Sequence, residues 1–205
     1  MRSAALIVVA LLGCKEKATE NPPIAVAAPP TSPTEKLSDA EFRTKNTLSS
    51  KAEAGKFAIT DGAGLMKITL PKDPTFDHKM VSESGVSVFA SQAVMPGGDA
   101  NVDVQLGAMT SRDGDLPSAL LDSLKNTPDQ IVAMAGGKVE KNEETTISGK
   151  PARRYEIATA DKRRMFGWMI HASAHARMYQ INCVGGDVAK TRTDCDAIAN
   201  SLALK

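Results

Sequence analysis

Apolar and polar residues alternate with a period of two in several stretches of this sequence. Three such stretches lie in its first half, with apolar residues at Met66, Ile68 and Leu70, at Val86, Val88 and Ala90, and at Val102, Val104, Leu106 and Ala108. Successive side chains of a β-strand point to opposite faces, so the alternation gives each strand one apolar face. Gly97 with Gly98, and Ser84 with Gly85, supply turns between the strands. The pattern therefore predicts half-buried antiparallel strands.

Strands are predicted again in the second half of the chain. They cover residues 138–148, 152–159, 165–174 and 176–185. A turn at Gly149-Lys150-Pro151 joins the first two of these strands, and a charged turn over residues 161–164 joins the next two. The second half is therefore also expected to form antiparallel sheet.

A helical pattern over residues 116–137 separates the two groups of strands. Asp115 can cap this helix, and Pro117 fits its first turn. Its apolar stripe consists of Leu120, Leu121 and Leu124. Pro128 is expected to end or kink the helix, with Thr127 capping a second short piece that the glycine pair at 136–137 terminates.

The chain closes with a strand and a helix, each of which carries one cysteine. Strand parity places Cys183 on the same apolar face as Tyr179 and Ile181. The final helix, over residues 187–204, has Asp187 at its cap, and its predicted buried face consists of Val188, Cys195, Ile198 and Leu202. Both sulfurs should point into the layer between strand and helix, which predicts a Cys183–Cys195 disulfide. The alternative is two buried thiols that pack as small apolar groups.

The order of strands, helix, strands and helix predicts the fold class. It indicates an α+β fold in which an antiparallel sheet is flanked by helices as α/β/α layers. The predicted domain covers residues 55–205, roughly 150 residues, which is enough for one domain with its own core.

Three segments resemble a known family. They are ITLP at residues 68–71, ISGKPARRYE at residues 147–156, and the closing strand and helix from Tyr179 to Leu204. Together they resemble the PsbP-like fold, shared by the photosystem extrinsic protein PsbP, the eukaryotic Ran-release factor and bacterial DcrB-type lipoproteins. The resemblance covers about residues 57–204 and implies a PsbP-like domain. Because this fold hosts unrelated roles, it implies no particular activity, and no functional residue is carried over.

The start of the chain is predicted to be an export signal. Residues 4–12 are apolar, too few to span a bilayer, which needs about 20 residues in a helix. One positive charge, a short apolar core and a small residue before the border are typical of a secretory signal. The motif LLGC at residues 11–14 resembles the lipobox of bacterial lipoproteins, although Leu12 departs from the usual Ala or Ser. The resemblance implies a signal peptide over residues 1–13 and a lipidated Cys14, acylated for example with palmitate, as the mature N-terminus. The alternative is an ordinary signal peptide with an incidental cysteine.

Residues 14–54 are predicted to tether the domain to the membrane. They are rich in Pro, Ala, Thr and Glu and lack apolar periodicity. Ser38 and Glu41 form a capping-box pattern that predicts a short helix over residues 39–51, or a segment that stays disordered. Lys15 stands where some bacterial lipoproteins carry an inner-membrane retention aspartate, so the resemblance favours the outer membrane.

Charge limits the class of partner. The chain has 25 Lys and Arg against 24 Asp and Glu, a net charge of +1, so no global field favours nucleic acid or anionic lipid. Five basic residues cluster around one predicted hairpin: Arg153, Arg154, Lys162, Arg163 and Arg164. A solvated face is favoured over an anion or partner site, because Glu156 and Asp161 dilute the charge.

Two patterns could hold a metal ion. His171 and His175 have the spacing of a zinc-protease helix but lack its glutamate, and they fall at a predicted hairpin. Asp99, Asn101 and Asp103 begin like a calcium loop but lack its later glycine and glutamate. No catalytic residue, metal or cofactor is therefore predicted.

These observations favour a non-enzymatic binding or support module, anchored by lipid in the bacterial cell envelope. Its expected partner is an envelope protein or glycan, with a lipid as a further alternative. The alternative is a periplasmic enzyme or metal-binding domain that uses His171, His175 or residues 99–103.

Overall fold

The computed structural model describes residues 37–83, 86–97, 102–112, 126–172 and 177–205. The predicted signal peptide, Cys14 and most of the predicted tether lie outside the described residues. Within the described ranges three helices form: α1 (Asp39–Asn46), α2 (Thr127–Ala135) and α3 (Val188–Asn200). None of them is long and apolar enough to cross a bilayer.

Eleven strands form two sheets in the same part of the chain. The strands are β1 (Leu48–Glu53), β2 (Lys56–Asp61), β3 (Met66–Leu70), β4 (Thr75–Glu83), β5 (Val86–Met95), β6 (Asp103–Ser111), β7 (Gly137–Ile147), β8 (Lys150–Thr159), β9 (Arg164–Ala172), β10 (Arg177–Gly185) and β11 (Ala203–Leu204). The large sheet has the order β4-β5-β6-β10-β9-β8-β7, and the small sheet has the order β1-β2-β3-β11. The pairings between these strands are antiparallel, as the alternating sequence predicts.

The main core lies between the two sheets and α3. One face of the large sheet, its inner face, contributes Leu106, Ile170 and Ile181 to this core, and the small sheet contributes Ile59 and Ile68. The opposite, outer face carries a second apolar cluster, in which Ile131 of α2 packs with Ile157 and Met169, among others. Alternation thus supplies apolar residues to both faces of the central strands of the large sheet.

The predicted α/β/α layering needs correction. The small sheet and α3 together cover the inner face, so the molecule is richer in sheet than an arrangement of one sheet between helical layers. The reason is that β1, an edge strand of the small sheet, carries no apolar alternation. In β1 only Leu48 is buried, and the strand is held by pairing with β2 along its whole length.

The folded region also begins before residue 55. The capping box predicted for α1 is present: the Glu41 N–H donates to Ser38 Oγ at 3.3 Å, and the Ser38 N–H donates to the Glu41 carboxylate at 3.0 Å. The helix ends at Asn46, earlier than predicted, because the chain turns extended at Thr47 and enters β1. Phe42 and Leu48 are buried against the rest of the domain.

The predictions for the later two helices are confirmed in part. The first predicted piece of the middle helix lies outside the described residues. The second piece is α2, which begins at Thr127, so Thr127 is a helical residue and the prediction of it as the cap is wrong. In α3 the predicted cap is confirmed, since Asp187 Oδ1 accepts from the Lys190 N–H at 3.0 Å.

The predicted buried face of α3 is correct except at its start. Cys195 and Ile198 are buried, and Leu202 is buried just after the helix ends. Val188 is 41% exposed, so its predicted burial is wrong. The reason is that the helix meets the core only after its first turn, where Thr191 is its first buried residue.

Candidate functional site

The predicted disulfide joins β10 to α3. Cys183 and Cys195 are both fully buried, with their Cα atoms 5.8 Å apart, and the sulfurs are bonded. The bond fixes α3 on the inner face of the large sheet. It therefore positions one wall of the groove described next.

A groove of about 370 Å³ lies where α3 meets the small sheet and the ends of β5 and β6. Its floor is apolar and consists of Met95, Val102, Val104 and Ile198. Three lysines and one carboxylate stand around it: Lys56, Lys72, Lys190 and Asp194. We call this the α3 groove.

Hydrogen bonds hold the two walls of the α3 groove together. Ser201, at the end of α3, accepts from the Thr69 N–H at 2.9 Å and donates to the Ile198 carbonyl at 2.7 Å. The chain then pairs β11 with β3, and the Lys205 N–H donates to the Leu65 carbonyl at 3.0 Å. The C-terminal end of α3 is thereby tied to β3, so the groove has walls that are fixed by the fold.

The electrostatics of the α3 groove are positive. Lys190 forms an ion pair with Asp194 one turn along α3. Lys56 and Lys72, in contrast, have no ion-pair partner in the part of the chain that the structure describes. With three lysines and one carboxylate on its rim, the groove carries an excess of two positive charges and attracts anions.

The sequence-predicted metal patterns are only partly within the described residues. His175, Asp99 and Asn101 lie outside them. His171 is half-buried in β9, and Asp103 accepts from the Gly97 N–H at 2.7 Å and from Arg163 Nη1 at 3.2 Å. Across the described ranges, no group of three His, Cys, Asp or Glu side chains is placed to hold a metal ion.

The arginines of the β8–β9 hairpin are each matched by a carboxylate. The pairs are Arg153 with Glu144 at 3.1 Å, Arg154 with Asp196 at 3.2 Å, Arg163 with Asp161 at 2.7 Å, and Arg164 with Glu140. A hydrogen bond from the Thr159 hydroxyl, followed by contacts with Arg163, lowers the pKa of Asp161. The positive charge of this cluster is therefore largely neutralised within the protein, which agrees with a solvated face.

One polar pair was not expected from the sequence. His78 Nδ1 lies 2.7 Å from Ser91 Oγ, and the His78 ring stacks between Phe76 and Phe89 with centroids 6.1 and 6.3 Å away. Ser91 is 1% exposed and accepts from the Leu48 N–H at 2.9 Å. The serine therefore ties β1 to β5 and is not presented to a substrate. Phe76 and His78 are two residues apart on β4 and therefore share one face of the strand. This spacing is the sequence signal that could have identified the stacked rings.

A second polar group links the two sheets. Asp61 of β2 accepts from Arg177 Nη1 at 2.5 Å and from the Tyr179 hydroxyl at 3.2 Å, both on β10. All three side chains are buried. Burial, with a further contribution from the Asp61 charge, raises the pKa of Tyr179 to about 12. This group fixes the position of the small sheet on the large sheet.

Comparisons with known proteins find two solved structures that are similar to this chain at low sequence identity. No protein-family model matches this chain. No curated protein matches it in sequence. Among solved structures, it is similar to the solution structure of cyanobacterial PsbP (CyanoP) from Synechocystis sp. PCC 6803, with 14% identity, a TM-score of 0.49, and coverage of 75% of this chain and 95% of that one. It is also similar to the crystal structure of PA94 from Pseudomonas aeruginosa, a protein of unknown function, with 12% identity, a TM-score of 0.33, and coverage of 74% and 88%.

Proposed function

We propose that this chain is a lipid-anchored protein of the bacterial cell envelope whose PsbP-like domain is a non-enzymatic binding module. The α3 groove is its binding site. The observation that carries the proposal is the pair Lys56 and Lys72, which stand without carboxylate partners in the described part of the chain beside an apolar floor.

The composition of the α3 groove suits a small ligand. Such sites are concave, mostly apolar, and carry a few polar groups that orient the ligand; their volumes are about 300–1,000 Å³. The α3 groove falls in this range at about 370 Å³. Its walls are held by the Cys183–Cys195 disulfide and by Ser201, so little ordering is needed when a ligand binds.

The anchor proposed from the sequence places this domain at a membrane, with the outer membrane favoured. An acylated Cys14 associates a soluble domain with a bilayer, and several acyl chains together hold it stably where one would not. Cys14→Ser should therefore release the protein into the soluble fraction of the envelope. If the unaltered protein is itself soluble, and its mature form begins elsewhere than Cys14, the anchor is disproved.

Binding is tested by native mass spectrometry of the full chain carrying Cys14→Ser, purified without detergent. The protein should carry an additional non-covalent mass acquired in the envelope. Ala197→Trp fills the α3 groove and should remove that mass, whereas Ala189→Trp, on an exposed part of α3 outside the groove, should retain it. A parent protein with no additional mass, or equal retention in the two variants, contradicts the proposal. An envelope protein or glycan that binds elsewhere on the domain would be retained equally by the two variants.

A further inference from the structure

We infer that the ligand of the α3 groove is a single-chain amphiphile with an anionic head, its chain on the apolar floor and its head at Lys56 and Lys72. The inference rests on the proposed binding function and names the chemical class of the ligand. It follows from the size, the polarity and the charge of the groove.

Size favours one chain. The groove volume of about 370 Å³ lies at the small end of the range of about 300–1,000 Å³ that is typical of small-molecule sites. A single acyl or alkyl chain suits a groove of this size better than the two long chains of a membrane lipid.

The polarity of the floor disfavours a peptide. Met95, Val102, Val104 and Ile198 offer no hydrogen-bonding side chain, and the nearby Ser201 hydroxyl is already bonded to Thr69 and Ile198. A peptide lying here would bury backbone N–H and C=O groups without partners, which is costly. A hydrocarbon chain has no such groups, so it can be buried at no cost in hydrogen bonds.

The positive charge on the rim of the α3 groove selects an anionic head group. The ammonium groups of Lys56 and Lys72 have no ion-pair partner among the described residues, while Asp194 is already paired with Lys190. Lysine binds carboxylate and phosphate as a point charge. An anionic head at the rim therefore gains two attractive interactions, and a cationic head meets repulsion. The chemistry is that of a carboxylate or phosphate on a single apolar chain.

The test is calorimetric titration of the full chain carrying Cys14→Ser, which is first unfolded in denaturant and refolded with its disulfide intact so that no ligand from the envelope remains in the groove. The titration is made without detergent and with each probe below its micelle concentration. Dodecanoate should bind at one site. Dodecyltrimethylammonium has the same chain and the opposite head charge, and hexanoate has the same head and half the chain; each should bind at least tenfold more weakly. Equal affinity for the two dodecyl probes, or no binding of dodecanoate, overturns the inference.

Variants locate the site. Lys56→Glu with Lys72→Glu should weaken dodecanoate binding at least tenfold and strengthen binding of the cationic probe. Lys138→Glu with Lys162→Glu changes the net charge equally at exposed positions outside the α3 groove, and it should leave both affinities within twofold. Thermal unfolding of each variant verifies that it is folded. Equal weakening by the two pairs shows attraction by net charge alone and overturns the inference.

The outcome separates this inference from the proposed function. If the native protein carries a mass in the groove that is a peptide or a sugar, the binding function stands and the amphiphile is excluded. If it carries no mass and also ignores dodecanoate, both fail.

Discussion

The two tyrosines of the chain, Tyr155 and Tyr179, lie in the core with their hydroxyl groups hydrogen-bonded. Tyr155 donates to Asn182 Oδ1 and accepts from Gln180 Nε2 at 3.0 Å. Burial raises the pKa of Tyr155 well above its usual value of 10.0, although the bonds to Gln180 and Asn182 oppose the shift. For Tyr179 the pKa is raised to about 12, chiefly by burial.

These shifts predict an alkaline limit to stability. Each tyrosine has a higher pKa in the folded state than in the unfolded state. Its contribution to stability is therefore fully present below the unfolded pKa of about 10, and it is lost as pH rises through the folded pKa. The free energy of unfolding should therefore fall between about pH 10 and pH 12. Phenolate absorbance of the native protein should show no group titrating near 10, whereas the denatured protein should show both. One native tyrosine titrating near 10 would contradict the burial of that ring.

Gly167 of β9 faces the ring of Tyr155. A Cβ atom built there overlaps the ring, whereas at Gly107 of β6 the nearest heavy atom is the Gln180 Cβ at 3.8 Å, an ordinary contact. Gly167→Ala should therefore destabilise the domain by about 1–3 kcal/mol through overpacking. Gly107→Ala is the matched control and should be neutral or stabilising by up to about 1 kcal/mol. Denaturant unfolding measures both, and similar values for the two variants would refute the predicted contact.

At the scale of the element, α3 is attached by the disulfide, the Ser201 hydrogen bonds and its buried face. Cys183 and Cys195 are separated by 12 residues. Closing so short a loop stabilises the folded state by up to about 3 kcal/mol in the chain-entropy model. Replacing both cysteines with alanine should lower the free energy of unfolding by that amount or less, and amide exchange in α3 should accelerate more than in β9. Unchanged exchange in α3 would show that packing alone holds the helix. Quantitative alkylation of both thiols in the unreduced native protein would disprove the bond itself.

At the scale of the whole molecule, the two sheets are joined across their interface by Asp61 and Arg177. Their side chains are almost fully buried, and the Leu65 N–H also donates to Asp61 Oδ1 at 2.8 Å. Removing one partner of a buried ion pair leaves the other charge uncompensated and costs about 3–5 kcal/mol. Arg177→Met should therefore destabilise the domain by about this amount.

A second substitution separates charge from packing. Adding Asp61→Asn to Arg177→Met removes the stranded charge but keeps the oxygen that accepts from the Leu65 N–H. The double variant should be more stable than Arg177→Met alone, as a double-mutant cycle by denaturant unfolding would measure. If the double variant is the less stable of the two, Asp61 acts through contacts other than its charge.

Much of the molecule follows from local sequence. Strand alternation located β3, β5 and β6, because the side-chain period of a strand is set by its own backbone, and the strands predicted in the second half correspond to β7, β8, β9 and β10. The caps at Ser38 and Asp187 also form as predicted, since a cap is satisfied within one helical turn. The Cys183–Cys195 pair could be predicted for a related reason: parity on the strand and spacing on the helix placed both sulfurs on apolar faces.

Only the tertiary structure decided how these elements meet. The strand β1 has one buried residue, so its alternation carries no signal, and its place depends on pairing with β2. Asp61 and Arg177 are 116 residues apart, and each alone is an ordinary charged residue near a strand end. The lysines of the α3 groove are equally ordinary in sequence. Lys56 lies on β2, Lys72 follows β3, and Lys190 lies on α3. They share one rim because distant segments of the chain pack together as two sheets and a helix. The periodicity within one segment carries no information about how that segment packs against distant ones.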